Sequence, residues 1–306
     1  MDKLIQYRVF LQVSEMGSFI RAAHMLELPR ASVSAAIQEL ETDLGARLLH
    51  RTTRRVQLTA DGAQLLERVR RLLTDADDIQ QLFQAHQRQV SGRLNVDVPS
   101  RIARRLIAPA LPSFKRSHPR LQLALGSTDR SIDLVQEGVD CVVRIGNLLD
   151  SSLVARTIGH IALINCATLD YVQRHGTPKE PEDLMHGHFS VGYASPNNGR
   201  ELPWDYVSGG KAYEMLVPSS VIVNNAETYI ACCLSGMGLI QIPRFDVQHL
   251  LDSGQLVEVM PYFRAASLPV SLLYSHRRQR SKRLQAFIEW FEALMQPHLE
   301  IIESVS

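Results

Sequence analysis

Residues 22–62 read AAHMLELPRASVSAAIQELETDLGARLLHRTTRRVQLTADG, and this stretch decides how the rest of the chain is understood. Pro29, a residue tolerated in the first turn of a helix, predicts a helix start, and the helix should run to about Leu44. Within it Val33, Ile37, Leu40 and Leu44 follow at spacings of four, three and four, the pattern of a buried face. Arg30, Ser32, Ser34, Ala35 and Gln38 fall largely outside that stripe. Most of them are small or hydrogen-bonding, and no long acidic side chain intervenes before Glu39, as a surface meeting phosphate requires. The next segment, LLHRTTRRVQLT, predicts two short strands around a basic turn at residues 52–54. Between Leu44 and Ala60 the chain carries Arg47, Arg51, Arg54 and Arg55 and no acidic residue. Two helices with a short connection, followed by a basic hairpin, make a winged helix-turn-helix. The competing reading is a small helical domain with a solvated basic loop.

Upstream, Leu4, Tyr7, Phe10 and Leu11 form one apolar stripe of a helix that should stop near Gly17. Ser18 then offers an N-cap to a helix carrying Ala22, Ala23 and Leu26. Downstream, from Thr59 to about Val90, Leu65, Val69, Leu72, Ala76, Ile79 and Phe83 step as the a and d positions of a heptad seam. A seam that narrow wants a partner helix, so these residues are the expected dimerisation face. The alternative is a long helix lying on its own domain.

Beyond Ser91 and Gly92 the period changes. Leu94, Val96 and Val98 alternate as a strand, a helix follows over 102–114, and strands at 121–125 and 141–145 flank a helix at 131–136. A second unit begins near residues 161–165, with strands at 189–193, 215–217, 221–223 and 239–242 and a helix at 227–234. A final strand at 270–274 and helix at 281–294 are ambiguous in position. Strands alternating with helices predict an α/β domain with a largely parallel sheet.

At 306 residues the chain is long enough for two or three compact domains. A composition of 45% hydrophobic and 21% charged residues excludes a disordered chain and a disulfide scaffold. The net charge is only +1, which argues against a polyanion partner until the arginine-rich window is considered. Cys141, Cys166, Cys232 and Cys233 form no Cys-x-x-Cys pair, which fits a reducing compartment and a cytoplasmic protein. The N-terminus lacks a signal-peptide core, and no stretch offers the ~18–20 unbroken apolar residues of a bilayer span, so no membrane partner is expected.

No Gly-x-Ser-x-Gly, phosphate-binding Gly-Lys-Ser/Thr loop or zinc-protease motif occurs, so no catalytic residue, cofactor or enzymatic activity is expected. His186 and His188, a lone His-x-His pair, suggest no metal. Gly236 and Gly238 read as a tight turn before a strand, and Cys232–Cys233 as buried thiols of an apolar helix rather than an oxidation sensor.

Taken together, residues 22–62 closely resemble the DNA-binding region of LysR-type transcriptional regulators. The marks are Ala22-Ala23, Leu40-Glu41, Leu44-Gly45, Leu48-Leu49-x-Arg51 and the closing Leu58-Thr59-x-x-Gly62. Further along, EGVDCVVRIGNLLDSSLVAR (137–156), LSGMGLIQIP (234–243) and YSHRRQRSKRLQAFIEWF (274–291) resemble effector-domain landmarks of the same family. The resemblance is greatest to its CrgA-like subgroup, that of the regulator of meningococcal adhesion genes. Where many members open the recognition helix with Ser-Gln-Pro, this chain has Pro29-Arg30-Ala31, so base preference is not carried over.

The resemblance implies an α/β protein with an N-terminal all-α winged helix-turn-helix at residues 1–59 and a dimerising linker helix at 60–90. An effector domain like the type 2 periplasmic binding proteins would follow at 91–300. Its subdomain I would comprise about 91–163 and 268–300, and subdomain II about 164–267, with crossings near 163–166 and 266–268. Arg30, Ser32, Ser34, Ala35 and Gln38 would then face base edges or phosphates, and Arg51, Thr53, Arg54 and Arg55 would hold the flanking backbone. Ser100, Ser127, Thr128, Asn224 and Asn225 are the implied effector residues, for an anionic small molecule bound between the subdomains. Ordinary capping by Ser, Thr and Asn is the competing account of those positions. The implied partners are double-stranded DNA with an interrupted dyad, a second copy of the chain in a dimer, tetramer or larger assembly, and RNA polymerase. The rival from another class is an α/β solute-binding or enzymatic protein whose N-terminal helices serve only for oligomerisation.

Overall fold

Gly17 turns into the left-handed region (φ 60°) and ends helix α1 (Lys3–Met16), its N–H closing on the Val13 carbonyl. Ser18 then caps α2 (Phe19–Met25) by accepting the Arg21 N–H, and Pro29 precedes α3 (Arg30–Leu44), which Gly45 ends at φ 65°. A short antiparallel hairpin follows, β1 (Leu49–Arg51) on β2 (Val56–Leu58), before the long α4 (Ala60–Phe83). The computed structural model describes residues 2–51, 56–83, 90–130, 134, 137–146, 153–195, 198–275 and 281–300. The chain divides into two compact units, residues 1–93 with 133–139, and residues 94–132 with 140–306.

In the first unit one core takes Val9, Phe10 and Val13 from α1, Ala22 and Ala23 from α2, and Val33, Ala36, Ile37 and Leu40 from α3. Leu48 and Leu49 join it from the hairpin, and Leu66, Val69 and Leu73 from α4. Three expectations need correction. The buried face of α1 is Gln6, Val9, Phe10 and Val13, while Leu4 is exposed; a polar residue on the inner face disguised the stripe. Leu44 is 42% exposed because α3 has reached its last turn, beyond the core, and Ala36 fills the stripe instead. Val69, expected on the heptad seam, packs inside its own unit. Each buried Leu or Val contributes ~1.5–3 kcal/mol, so Leu66, Val69 and Leu73 together fix which way α4 faces. Leu72 and Ile79 are left outside at 44% and 59% exposure, with Leu65 and Ala76 half-buried between the two stripes. The side chain of Phe83 lies outside the described residues.

The second unit opens with β3 (Gly92–Val98) and a contiguous helical run: α5 (Ser100–Ile102), a π turn at Ala103–Ile107, and α6 (Ala108–Ser117). Then come β4 (Leu121–Ser127), β5 (Cys141–Ile145), β6 (Val154–Ile161), β7 (Leu163–Thr168), α7 (Leu169–His175) and β8 (Ser190–Tyr193). The hairpin β9 (Trp204–Ser208) and β10 (Lys211–Met215) precedes β11 (Ser219–Val223), α8 (Ala226–Leu234), β12 (Ile240–Pro243), α9 (Arg244–Asp252) and β13 (Leu256–Glu258). The chain closes with β14 (Leu268–Tyr274) and α10 (Lys282–Met295).

A five-stranded sheet has the order β4-β3-β5-β14-β6, and a three-stranded sheet the order β12-β7-β13. The expected parallel character holds for β3 on β5 and β8 on β11. In contrast, β14 returns antiparallel between β5 and β6, and β12 and β13 both run antiparallel to β7. This return removes the ambiguity of the last strand. Residues 216–217 are not a strand: Met215 ends a hairpin whose turn, Gly209-Gly210, has both glycines at positive φ, a turn signal that outweighs the apolar run after it. The helix expected at 131–136 lies outside the described residues apart from Leu134, which is in a turn. Among the described residues no helix is long and apolar enough to cross a membrane.

Candidate nucleic-acid interface and effector site

On α3 the burial of Val33, Ile37 and Leu40 turns the opposite face outward. Arg30, Ala35 and Gln38 are exposed there, with Ser32 and Ser34 half-buried at the flanks. Ala31 and Thr42 are exposed as well, and neither was singled out from the sequence. The hydroxyl of Thr42 donates to the Gln38 carbonyl (2.8 Å), tying it to its own helix.

Residues between Leu40 and Gly62 hold α3, the hairpin and α4 together. The Glu41 carboxylate accepts the N–H groups of Leu48 (2.8 Å) and Leu49 (3.2 Å), so the end of α3 positions the start of the hairpin. Thr59 donates to the Arg47 carbonyl (2.6 Å) and accepts the Gly62 N–H (2.9 Å), capping α4. A Cβ on Gly62 would stand 2.0 Å from the Leu48 carbonyl oxygen, so only glycine lets α4 approach the hairpin this closely. Register pairs Leu49 with Leu58 and Arg51 with Val56. Thr53, Arg54 and Arg55 lie outside the described residues, as does the side chain of Arg51.

In the second unit three of the five implied effector residues, Ser100, Thr128 and Asn225, are engaged with their neighbours. Ser100 holds the Asp129 carboxylate through its N–H (3.0 Å to Oδ1) and its hydroxyl (3.1 Å to Oδ1, 2.8 Å to Oδ2). Thr128 donates to Asp97 (3.1 Å), a buried carboxylate at the end of β3 that also receives both terminal nitrogens of Arg144 at 3.2 Å. Asn225 caps α8, accepting the Thr228 N–H (2.9 Å). Ser127 and Asn224 are exposed. The capping account therefore explains Asn225, and the structure brings Ser100 and Thr128 into two carboxylate clusters at the carboxyl ends of β3 and β4.

Sequence reasoning missed the group beside them. Arg101, 4% exposed in its side chain, joins the strand end to the N-termini of two later helices. Its Nε donates to Asp246 Oδ1 (3.0 Å), one terminal nitrogen to the Asp246 carbonyl (2.8 Å), and the other lies 2.7 Å from Glu227, which also pairs with Arg104. Burial pushes the Asp246 carboxyl up to about 6, against the opposing pull of Arg101. Tyr193 faces Asp129 and Asp246 and packs edge-on against Tyr229 (5.1 Å); burial first, then those carboxylates, pushes its hydroxyl up to about 12. Nothing in local spacing links Arg101 to Asp246, 145 positions away.

The remaining signals are structural. His188 is buried against the Tyr171 hydroxyl (3.4 Å), and among the described residues no group of His, Cys, Asp or Glu is disposed to hold a metal ion. The four cysteines are unbridged; Cys233 is buried and Cys232 half-buried, and burial pushes the thiol of Cys141 well above its ordinary value. Gly238 sits in the tight turn before β12, where a Cβ would stand 2.5 Å from the Phe189 carbonyl oxygen.

Comparison with known proteins adds a second line of evidence. Residues 4–63 match the family model for the bacterial regulatory helix-turn-helix protein of the lysR family, and residues 87–296 match that for the LysR substrate binding domain. The HTH-type transcriptional regulator YhjC of Escherichia coli is 38% identical, covering 98% of this chain and 100% of its own. The HTH-type transcriptional regulator CrgA of Neisseria meningitidis is 31% identical over 92% of this chain and 93% of its own. The solved structure of CrgA aligns with a TM-score of 0.60 at 29% identity, covering 94% of this chain and 97% of that one. The full-length virulence activator AphB of Vibrio cholerae aligns with a TM-score of 0.58 at 25% identity, covering 97% and 100%.

Proposed function

The chain belongs to the LysR family of transcriptional regulators, with a helix-turn-helix and a substrate-binding domain, and we propose how its residues divide the work. Residues 1–59 form the DNA-binding domain, 60–90 the dimerising helix, and 91–300 the effector-binding domain, of which 164–267 is the second subdomain. The face of α3 carrying Arg30, Ser32, Ser34, Ala35 and Gln38 enters the major groove. The hairpin arginines Arg51, Arg54 and Arg55, with Thr53, hold the flanking phosphates. The observation that supports this most is a helix whose outward face is exposed and free of acidic residues up to Gln38, locked by Glu41, Thr59 and Gly62 to a basic hairpin.

Leu65, Leu72, Ala76, Ile79 and Phe83 form the seam with a second copy, because the stripe of Leu66, Val69 and Leu73 is already spent on the unit's own core. Two recognition helices so joined meet two half-sites about one helical turn apart (~34 Å), an interrupted dyad. A small molecule bound at Ser100, Ser127 and Thr128, with Asn224 and Asn225 opposite, controls the DNA-bound state. The protein acts in the cytoplasm, through RNA polymerase, without catalysing a reaction. No feature favours the rival assembly-only reading of the N-terminal helices.

Phosphate contacts position and base contacts specify, so the two groups fail differently. Arg54→Ala is expected to weaken binding to all duplexes and reduce the salt dependence by about one unit. Gln38→Ala is expected to relax discrimination at one base pair by ~1–3 kcal/mol. Binding isotherms across salt and operator variants test this division; identical behaviour of the two variants would refute it.

A further inference from the structure

The place where an incoming anion would dock already contains one. Both oxygens of the Asp129 carboxylate accept from Ser100, three contacts of 2.8–3.1 Å in all, and the segment between Thr128 and Arg130 that carries Asp129 is anchored on either side of it. Thr128 donates to Asp97, and the Arg130 carbonyl accepts from Arg144 at 2.9 Å. Several of the neighbouring charges are already paired. Arg144 is matched by Asp97, and Arg101 and Arg104 by Asp246 and Glu227. A carboxylate added to this group while Asp129 stayed in place would bring a second negative charge to the hydroxyl and N–H of Ser100, which Asp129 already occupies.

We infer that Asp129 is a resident carboxylate that an effector bearing a carboxylate replaces at Ser100, so that Asp129 sets the selectivity of the site. The inference rests on the assignment of Ser100 to the effector site. A tethered group competes at an effective concentration of about millimolar or above. The affinity for any external carboxylate is therefore reduced by the fraction of molecules in which Asp129 has left Ser100. Simple monocarboxylates lose that competition. An effector that wins it must add contacts elsewhere, and the exchange moves the 128–130 segment, which is bonded to Asp97 and Arg144 in the sheet.

The test uses the full-length protein and acetate as the probe, titrated at fixed pH and ionic strength, with the rise in thermal midpoint reporting binding. Asp129→Ala is expected to respond at acetate concentrations at least tenfold lower than the wild type, about the reciprocal of the vacant fraction. Asp129→Asn, nearly isosteric and uncharged, guards against a folding artefact and should respond in between. Adding Ser100→Ala to Asp129→Ala should abolish the gain. A wild type and Asp129→Ala that respond alike, both dependent on Ser100, overturn the displacement and leave the effector site standing. A response that survives Ser100→Ala, or no response in any variant, overturns both.

Discussion

The outward face of α3 and the junction around Arg101 treat their polar groups in opposite ways. On α3, Arg30, Ala35 and Gln38 stand in water, and packing of the helix asks nothing of them. At the junction Ser100 is bonded to Asp129, Thr128 to Asp97 and Arg101 to Asp246, and Arg101 and Asp246 are almost wholly buried. A surface built for a large external polyanion keeps its donors exposed and relies on that partner to satisfy them. A site inside a domain must satisfy its charges in the absence of any ligand, since an unpaired buried charge costs several kcal/mol. On the reading proposed above, ligand binding there is an exchange of partners, whereas on α3 it is an addition.

That contrast can be broken first within α4, where one helix carries both kinds of face. Leu66→Asp puts a charge in the core and is expected to cost about 4 kcal/mol or more, unfolding the N-terminal unit, as the loss of its helical circular dichroism would show. Leu72→Asp, six residues on, should leave helicity unchanged while light scattering reports a species of lower mass with poor operator binding. If both variants lose only mass, or both unfold, the two-face account of α4 is wrong.

Next in size is Arg101→Ala, which strands the buried Asp246 carboxylate. A loss of about 3–5 kcal/mol is expected in denaturant unfolding of the effector unit, with the DNA-binding unit unaffected. A cost below ~1 kcal/mol would mean that the pair is as dispensable as a surface ion pair. Gly62→Ala should cost ~1–3 kcal/mol in the N-terminal unit, because the new Cβ meets a backbone oxygen that cannot rotate away.

The smallest effect is one of pH. Burial, and then the neighbouring His175, hold the His188 ring below its ordinary value. Below pH 6.5 the unfolded chain therefore takes up a proton that the fold resists, so stability falls as pH drops. One proton limits the slope to about 1.4 kcal/mol per pH unit. His188→Gln should flatten that slope between pH 6.5 and 5, and an unchanged slope would assign it to other groups.

How far the sequence could be read follows the same division. The recognition helix, its cap residues and the hairpin were legible because their signals are local: Pro29, Ser18 and Gly17 punctuate, and Val33, Ile37 and Leu40 repeat at helical spacing. Leu44 and Leu4 misled because an apolar residue at a helix end carries the right period without reaching the core. Ser100 and Thr128 could be named from their places after strands, but not their partners. Arg101 meets Asp246 across 145 positions, a pairing visible only in the folded chain.

The central claim, that two copies of α3 joined through α4 read duplex DNA together, is tested most directly by selecting binding sites from random-sequence duplex with the purified full-length protein. The account predicts recovery of an interrupted dyad, its half-site centres about one helical turn or a whole multiple apart (~34 Å each). Recovery of no common sequence, or of a lone half-site without a symmetric mate, from protein shown to be folded would contradict it.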